Sequence, residues 1–117
     1  MHKNLFVELE LEFLLGIYRV TTLTNFLEKP YGLNLLFILE KFENETADNG
    51  IEDTFESISI LKPKKLAFVQ YCNSLVDRGS IVLETSSNKK SKKIIRLSKL
   101  SKKGLVNFRK KFTIMSK

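Results

Sequence analysis

A chain of 117 residues is long enough for one domain with its own core, and its 43% hydrophobic and 28% charged residues are typical of a folded protein rather than a disordered one. The single cysteine, Cys72, excludes an internal disulfide and a cysteine-based metal cluster, and it favours a reducing, cytoplasmic setting. Apolar runs are too short to span a bilayer, and acidic residues interrupt the N-terminal apolar stretch, so we expect neither membrane association nor a signal peptide.

Charge is divided unevenly along the chain, whose net charge is +7. Residues 1–60 hold 4 Lys/Arg and 11 Asp/Glu, a net charge of −7, whereas residues 61–117 hold 16 Lys/Arg and 2 Asp/Glu, a net charge of +14. A strongly basic half attracts polyanions, which indicates a phosphate-bearing partner such as nucleic acid. The alternative is two solvated faces of opposite sign. The acidic half is also a candidate surface for a protein partner.

The first segment, residues 1–28, shows two periodicities. Residues 7–13 alternate between apolar and polar, as a strand does, but apolar residues also recur at three- and four-residue spacing from Leu5 to Val20. Because the run exceeds twenty residues without a proline, it predicts one long helix that ends before Pro30. Two covers fit the wide apolar surface of this helix, namely the rest of the domain or a second copy of the chain. We favour the second copy and therefore expect a homodimer.

Residues 51–79 predict a helix-turn-helix that follows a core helix over residues 33–44. A short helix over 51–60 leads to Pro63, which suits the first turn of a longer helix over 64–78. Gly79 is a favourable C-terminal stop for that longer helix. The order of these elements is typical of a DNA-binding motif whose second helix lies in the major groove.

The longer helix has an apolar back and a polar front. On a helical wheel, its apolar side gathers Leu61, Phe68, Cys72 and Leu75. Amide side chains offer both a donor and an acceptor to adenine in the major groove, so the polar front predicts contact with bases. The predicted base contacts are Gln70, Asn73 and Ser74. The predicted phosphate contacts near the start of the helix are Lys62, Lys64 and Lys65.

Residues 81–97 predict a wing, a hairpin with a basic tip. Two β-prone runs flank a connection over residues 86–93 that holds four lysines and no acid. We predict that this tip contacts phosphate or the minor groove; the alternative is a solubilising loop. The predicted DNA contacts in the wing are Lys89, Lys90, Lys92, Lys93 and Arg96. A last helix is predicted over residues 101–115, so the expected fold is mainly α with a small β-hairpin, a single winged helix-turn-helix domain.

Signals for chemistry are poor. His2 is the only histidine, and the chain has neither a Ser-His-Asp set nor a glycine-rich phosphate loop nor a histidine–cysteine metal spacing. We therefore expect no enzyme activity, no cofactor and no metal. Cys72 has two interpretations: a small core residue on the back of the recognition helix, or a redox switch that distorts this helix when oxidised.

Three stretches resemble a known family. Residues 75–82 resemble the segment in which the family's recognition helix ends at a glycine before the wing. Residues 97–104 resemble the segment that follows the wing, and residues 31–33 resemble the start of the family's second helix. These stretches resemble the MarR (multiple antibiotic resistance regulator) class of winged-helix regulators, and within it the small staphylococcal accessory regulator (SarA-type) proteins.

The resemblance implies a dimer formed by the first and last helices, and it implies virulence or stress genes as targets. The family's wing usually carries an Asp-Glu-Arg turn whose arginine enters the minor groove, whereas residues 88–93 are Asn-Lys-Lys-Ser-Lys-Lys here. That departure leaves phosphate contact as the expectation for the wing. The leading hypothesis is a dimeric, sequence-specific transcription regulator that binds double-stranded DNA.

Two alternatives stay open. The chain also resembles small winged-helix proteins that bind centromere-like DNA, which makes it a candidate plasmid or phage adaptor for partition or replication. The other alternative is a protein-interaction module that uses the winged-helix surface for a partner, because a fold does not fix a function.

Overall fold

The structure is a computed structural model that describes residues 5–86, 88–89 and 91–116, with the backbone alone for residues 112, 115 and 116. It is mainly helical with one two-stranded hairpin, which confirms the predicted fold class. In chain order the elements are α1 (Leu5–Tyr18), α2 (Thr21–Thr24), a 3-10 turn (Asn25–Leu27), α3 (Gly32–Asn44), α4 (Ile51–Ser57), α5 (Lys65–Asp77), β1 (Ile81–Thr85), β2 (Lys93–Leu97) and α6 (Lys99–Ser116).

The predicted single helix over residues 1–28 is wrong, because α1 ends at Tyr18 and the chain turns at Val20. Val20 adopts an extended conformation, with φ −119° and ψ 109°. It opens a run of three β-branched residues, which are weak helix formers. The hydroxyl of Thr24 donates a hydrogen bond of 2.9 Å to the carbonyl of Ile17, which satisfies an acceptor exposed at the end of α1. The turn brings Leu23 into the core.

The core lies between α3, α5, the hairpin and the elements that follow α1. Helix α3 is its centre, because Leu35, Leu36 and Leu39 are buried there, as the apolar pattern predicted. Helix α6 closes the domain against α1, where the rings of Phe13 and Phe108 meet edge to face with centroids 5.1 Å apart. Within the described residues, no helix is long and apolar enough to cross a membrane.

The helix-turn-helix and the wing both form where the sequence predicts them. The turn between α4 and α5 is fixed by Asn34 of α3, whose side-chain oxygen accepts hydrogen bonds from the backbone of Ser59 and Ile60 at 2.9 and 3.1 Å. Strands β1 and β2 pair antiparallel, with Ile81 opposite Leu97. Helix α6 begins at Lys99, earlier than predicted.

Candidate nucleic-acid interface

Helix α5 turns an apolar back to the core and a polar front to solvent. Phe68, Tyr71, Cys72 and Leu75 are buried. Gln70 and Asn73 are exposed, three residues apart on one face, as predicted. Ser74 is half-buried beside them. The front of α5 therefore offers two amide side chains to solvent.

The prediction that Leu61 lies on the apolar back of this helix is wrong. Leu61 stands in the turn before α5, with φ +49° and 70% exposure. The helix begins only at Lys65, because Lys64 is its extended N-cap residue, so Leu61 does not follow the helical wheel. The exposed front includes Ala67, which the helical wheel places near its edge, and also Leu66, which the sequence analysis missed. The signal for Leu66 was its spacing to Gln70, since positions 66 and 70 lie one helical turn apart.

The three lysines near the start of α5 are exposed, and two of them are paired with carboxylates of α4. The ammonium of Lys62 lies 4.5 Å from the ring centroid of Phe55 and 3.8 Å from Glu56. Lys65 forms an ion pair with Glu52. Exposed pairs of this kind contribute about 0–1 kcal/mol, so a phosphate group can replace the carboxylate at low cost.

The wing contacts α4, the helix whose carboxylates also pair with Lys62 and Lys65. Lys92 donates a hydrogen bond of 2.9 Å to the carboxylate of Asp53, the residue next to Glu52 in the first turn of α4. This bond, together with one from the backbone N–H of Gly50, lowers the pKa of Asp53. The first turn of α4 therefore pairs with one lysine of the wing, Lys92, and with one lysine of α5, Lys65.

The base of the wing tip is ordered by one serine. The hydroxyl of Ser86 donates to Asp48 at 2.6 Å and accepts from the backbone N–H groups of Asn88 and Lys89, each at 3.1 Å. Lys89 is exposed, so its predicted role in phosphate contact has the access that it needs. Lys90, another predicted contact, lies outside the described residues.

The last two predicted wing contacts differ from each other. Lys93 is exposed and its ammonium donates to the hydroxyl of Thr85 across the hairpin at 3.1 Å. Arg96 instead points inward, with a side chain only 15% exposed. Its guanidinium donates to Asn49 at 2.6 Å and to the carbonyl of Ala47, and it lies 3.7 Å from Glu43. Arg96 thus has a structural role that the sequence analysis did not foresee, and its placement does not favour the predicted DNA contact.

A buried polar network fixes the other end of α5. The hydroxyl of Tyr71 donates to the carbonyl of Asn25 at 2.6 Å, and the amide of Asn25 donates to the hydroxyl of Ser80 at 3.0 Å. Ser80 in turn donates to the carbonyl of Thr22 at 2.6 Å. Burial raises the pKa of Tyr71, so this hydroxyl stays protonated and remains a donor. The network holds α5 and Ser80, the residue before β1, against the 3-10 turn.

Cys72 occupies the position that its core interpretation predicts. Its side chain is buried, and burial raises the pKa of the thiol to about 12. A shielded, protonated thiol reacts slowly with oxidants, because the thiolate is the reactive species. This placement favours packing over redox sensing.

Much of the acidic N-terminal half is neutralised within the domain. Glu12 lies 2.8 Å from Lys111, and Glu40 lies 2.8 Å from Arg109 of α6. Glu43 accepts a hydrogen bond of 2.9 Å from Lys102. These pairs reduce the charge that the acidic half offers to a protein partner.

The described residues bring together a polar helix front, a cationic helix start and a lysine-bearing wing. Among all the residues that the structure describes, no three His, Cys, Asp or Glu side chains lie close enough to hold a metal ion. No protein-family model, no curated protein and no solved structure matches this chain. The geometry of this surface is therefore the basis on which function is inferred.

Proposed function

We propose that the protein is a sequence-specific DNA-binding transcription regulator that acts as a dimer. The observation that supports it most is that Lys65 of α5 and Lys92 of the wing both pair with carboxylates in the first turn of α4, Lys65 with Glu52 and Lys92 with Asp53. The same helix as Lys65 carries Gln70 and Asn73 on its exposed front. This arrangement suits a protein that places one helix in the major groove and a basic hairpin on the adjacent DNA backbone. Phosphate contacts then fix the register of the protein on the DNA, and base contacts determine which sequence is recognised.

The dimer would form through the first and last helices, as the resemblance to MarR-class and SarA-type regulators implies. Helix α1 exposes apolar side chains, among them Leu11, Leu14, Leu15 and Tyr18. A second copy is a natural cover for such a surface. Two recognition helices would then read half-sites about 34–36 Å apart, one turn of the double helix.

Binding selection tests this proposal. The full-length protein is incubated with a pool of random duplexes, the bound DNA is enriched, and the enriched sequences are footprinted. One short, two-fold symmetric footprint supports the regulator. A footprint over an array of repeats supports the partition or replication adaptor instead, and no enrichment at low salt supports the protein-interaction module.

Two pairs of substitutions control for charge. Lys62→Ala with Lys64→Ala removes two cations from the proposed interface, whereas Lys29→Ala with Lys41→Ala removes two exposed cations from the loop before α3 and from α3. Both pairs lower the net charge of +7 equally. The proposal requires that the first pair weaken DNA binding by clearly more than the second.

A further inference from the structure

The front of α5 carries an exposed leucine where a DNA-reading helix is expected to carry polar groups. Leu66 is 69% exposed, although it lies in the first turn of the helix and is followed by exposed Ala67. Its neighbour one turn on is Gln70, and Asn73 follows on the same face. The core is filled by other residues of α5, so a leucine at this position contributes little to folding.

The charge around Leu66 indicates the kind of surface that it meets. Lys62, Lys64 and Lys65 precede it directly, and all three are exposed. Glu56 and Glu52 pair with Lys62 and Lys65, and the phosphates of a polyanion can replace these exposed carboxylates at low cost, so a phosphate-rich partner is complementary to this surface. An apolar side chain within a cationic rim needs a partner that combines outer phosphates with an inner apolar group.

The major groove of DNA has that combination. Thymine presents a C5-methyl group there beside its O4 acceptor, and apolar side chains pack against this methyl. Recognition helices contact base edges mainly through their N-terminal residues. Leu66 and Ala67 are the exposed apolar residues nearest the N-terminus of α5, ahead of the amides of Gln70 and Asn73.

We propose that Leu66, with Ala67 beside it, contacts a thymine methyl group and is a specificity-determining residue of the interface, an inference that rests on the proposed function. Residues one helical turn apart are separated by about 5–6 Å, and stacked base pairs by about 3.4 Å. The thymine read by Leu66 therefore lies about one or two base pairs from the base read by Gln70. The half-site combines a thymine with an adenine at this spacing.

Deoxyuridine substitution tests the inference without altering the protein. The best duplex enriched from a random pool is synthesised with each thymine replaced in turn by deoxyuridine, which keeps the O4 acceptor and lacks only the methyl group. Burial of one methyl group corresponds to about a fourfold change in affinity. We expect a loss of that size at one or two positions in each half-site and almost none elsewhere.

Substitution of Leu66 assigns the effect to its side chain. In Leu66→Ala the difference between thymine and deoxyuridine at those positions should disappear. Leu100→Ala is the matched control, because Leu100 is also exposed, at 64%, and is also the second residue of its helix, α6. This control should keep the difference, and melting curves show whether each variant is folded.

Each outcome decides a different point. Tight binding that is indifferent to deoxyuridine at every position, or a methyl effect that persists in Leu66→Ala, overturns the role of Leu66 and leaves the DNA-binding function standing. Failure to bind any duplex of the pool at low salt contradicts the proposed function itself, and the inference about Leu66 falls with it.

Discussion

The guanidinium of Arg96 donates a hydrogen bond to the side-chain oxygen of Asn49 over 2.6 Å, which joins β2 of the wing to the loop before α4. Asn49 is buried, and its amide donates to the hydroxyl of Thr54 at 3.1 Å. Its backbone carbonyl also accepts from Ile95 at 2.9 Å. The wing and the helix-turn-helix are thereby held as one body, so the two parts of the proposed interface keep a fixed relative position.

Arg96→Ala should destabilise the fold by about 2 kcal/mol, because it leaves the side-chain oxygen of Asn49 and the carbonyl of Ala47 without their charged donor. The free energy of unfolding in urea measures this change. Lys93→Ala is the control on the same strand, since its side chain is exposed, and it should change stability by less than about 0.5 kcal/mol.

The same two variants separate support of the wing from contact with DNA. Lys93→Ala should reduce the slope of log K against log salt by about 1, as the loss of one phosphate contact does. Arg96→Ala should leave the slope unchanged. The opposite result would identify Arg96 as a phosphate contact. In that case the slope of Lys93→Ala would equal that of the wild type, and the slope of Arg96→Ala would be smaller in magnitude.

Removal of the carboxylates of α4 should strengthen DNA binding. Glu52 pairs with Lys65 and Glu56 lies near Lys62, so Glu52→Gln with Glu56→Gln frees both lysines and removes two charges that repel phosphate. Since each exposed pair contributes about 0–1 kcal/mol, an increase of about twofold to tenfold in affinity is expected at low salt. Fluorescence anisotropy with a labelled duplex measures it.

The matched control for this increase is a charge change elsewhere. Glu45→Gln removes a carboxylate that pairs with Lys41 at the end of α3 and not with a lysine of the proposed interface. It should raise affinity much less than either substitution in α4 does singly. A gain as large as theirs would mean that net charge, rather than the local pairs, sets the affinity.

Stability should fall in acid through Asp53. The pKa of this carboxyl is lowered, first by the hydrogen bond from Lys92 and then by the hydrogen bond from Gly50. The carboxylate therefore stabilises the folded state above the pKa that it has in the unfolded chain, and this stabilisation is lost as pH falls through the pKa of the folded state. Asp53→Asn should be less stable than the wild type at pH 7, by under about 1 kcal/mol, because the group is exposed.

Urea unfolding at several pH values follows this difference. The difference in unfolding free energy between the wild type and Asp53→Asn should narrow as pH falls below about 4, the ordinary pKa of an aspartate, and should be lost as pH falls through the lowered pKa of the folded state. A constant gap across the whole range would contradict the account of Asp53.

The proposed dimer should depend on α1. Leu11 is 55% exposed on this helix, and Leu11→Glu places a charge in the proposed contact. Sedimentation should give twice 13.5 kDa for the wild type and 13.5 kDa for the variant. Leu83→Glu, an equally drastic change on β1 of the wing, should leave the dimer intact. A wild-type protein that is monomeric at all concentrations would contradict the dimer.

The helices, the turn and the hairpin could be predicted from the sequence because local signals agree there. Pro63 and Gly79 bracket α5, and the β-prone runs flank a polar connection. The break at Val20 could not be predicted, because helical spacing continues through it and only the packing of Leu23 in the core requires the turn. Tertiary packing there outweighs the periodic pattern.

The sequence predicted which lysines of the candidate site are exposed, but it did not predict the contacts that support the site. Exposed lysines follow from charge and position, so Lys62, Lys64 and Lys65 were placed correctly on the surface. The inward turn of Arg96 depends on Asn49, a residue distant in sequence, and no local pattern contains that contact. Leu66 escaped notice because a leucine in an amphipathic helix is usually taken as a core residue.

The salt dependence of DNA binding tests the central claim most directly. Anisotropy titrations of the full-length protein with an enriched duplex, at salt concentrations from 50 to about 300 mM, give the slope of log K against log salt. If about six lysines contact phosphates, the slope should be about −5, and Lys62→Ala with Lys64→Ala should bring it to about −3. A slope near zero, or no binding at 50 mM salt, would contradict a DNA-binding function for this surface.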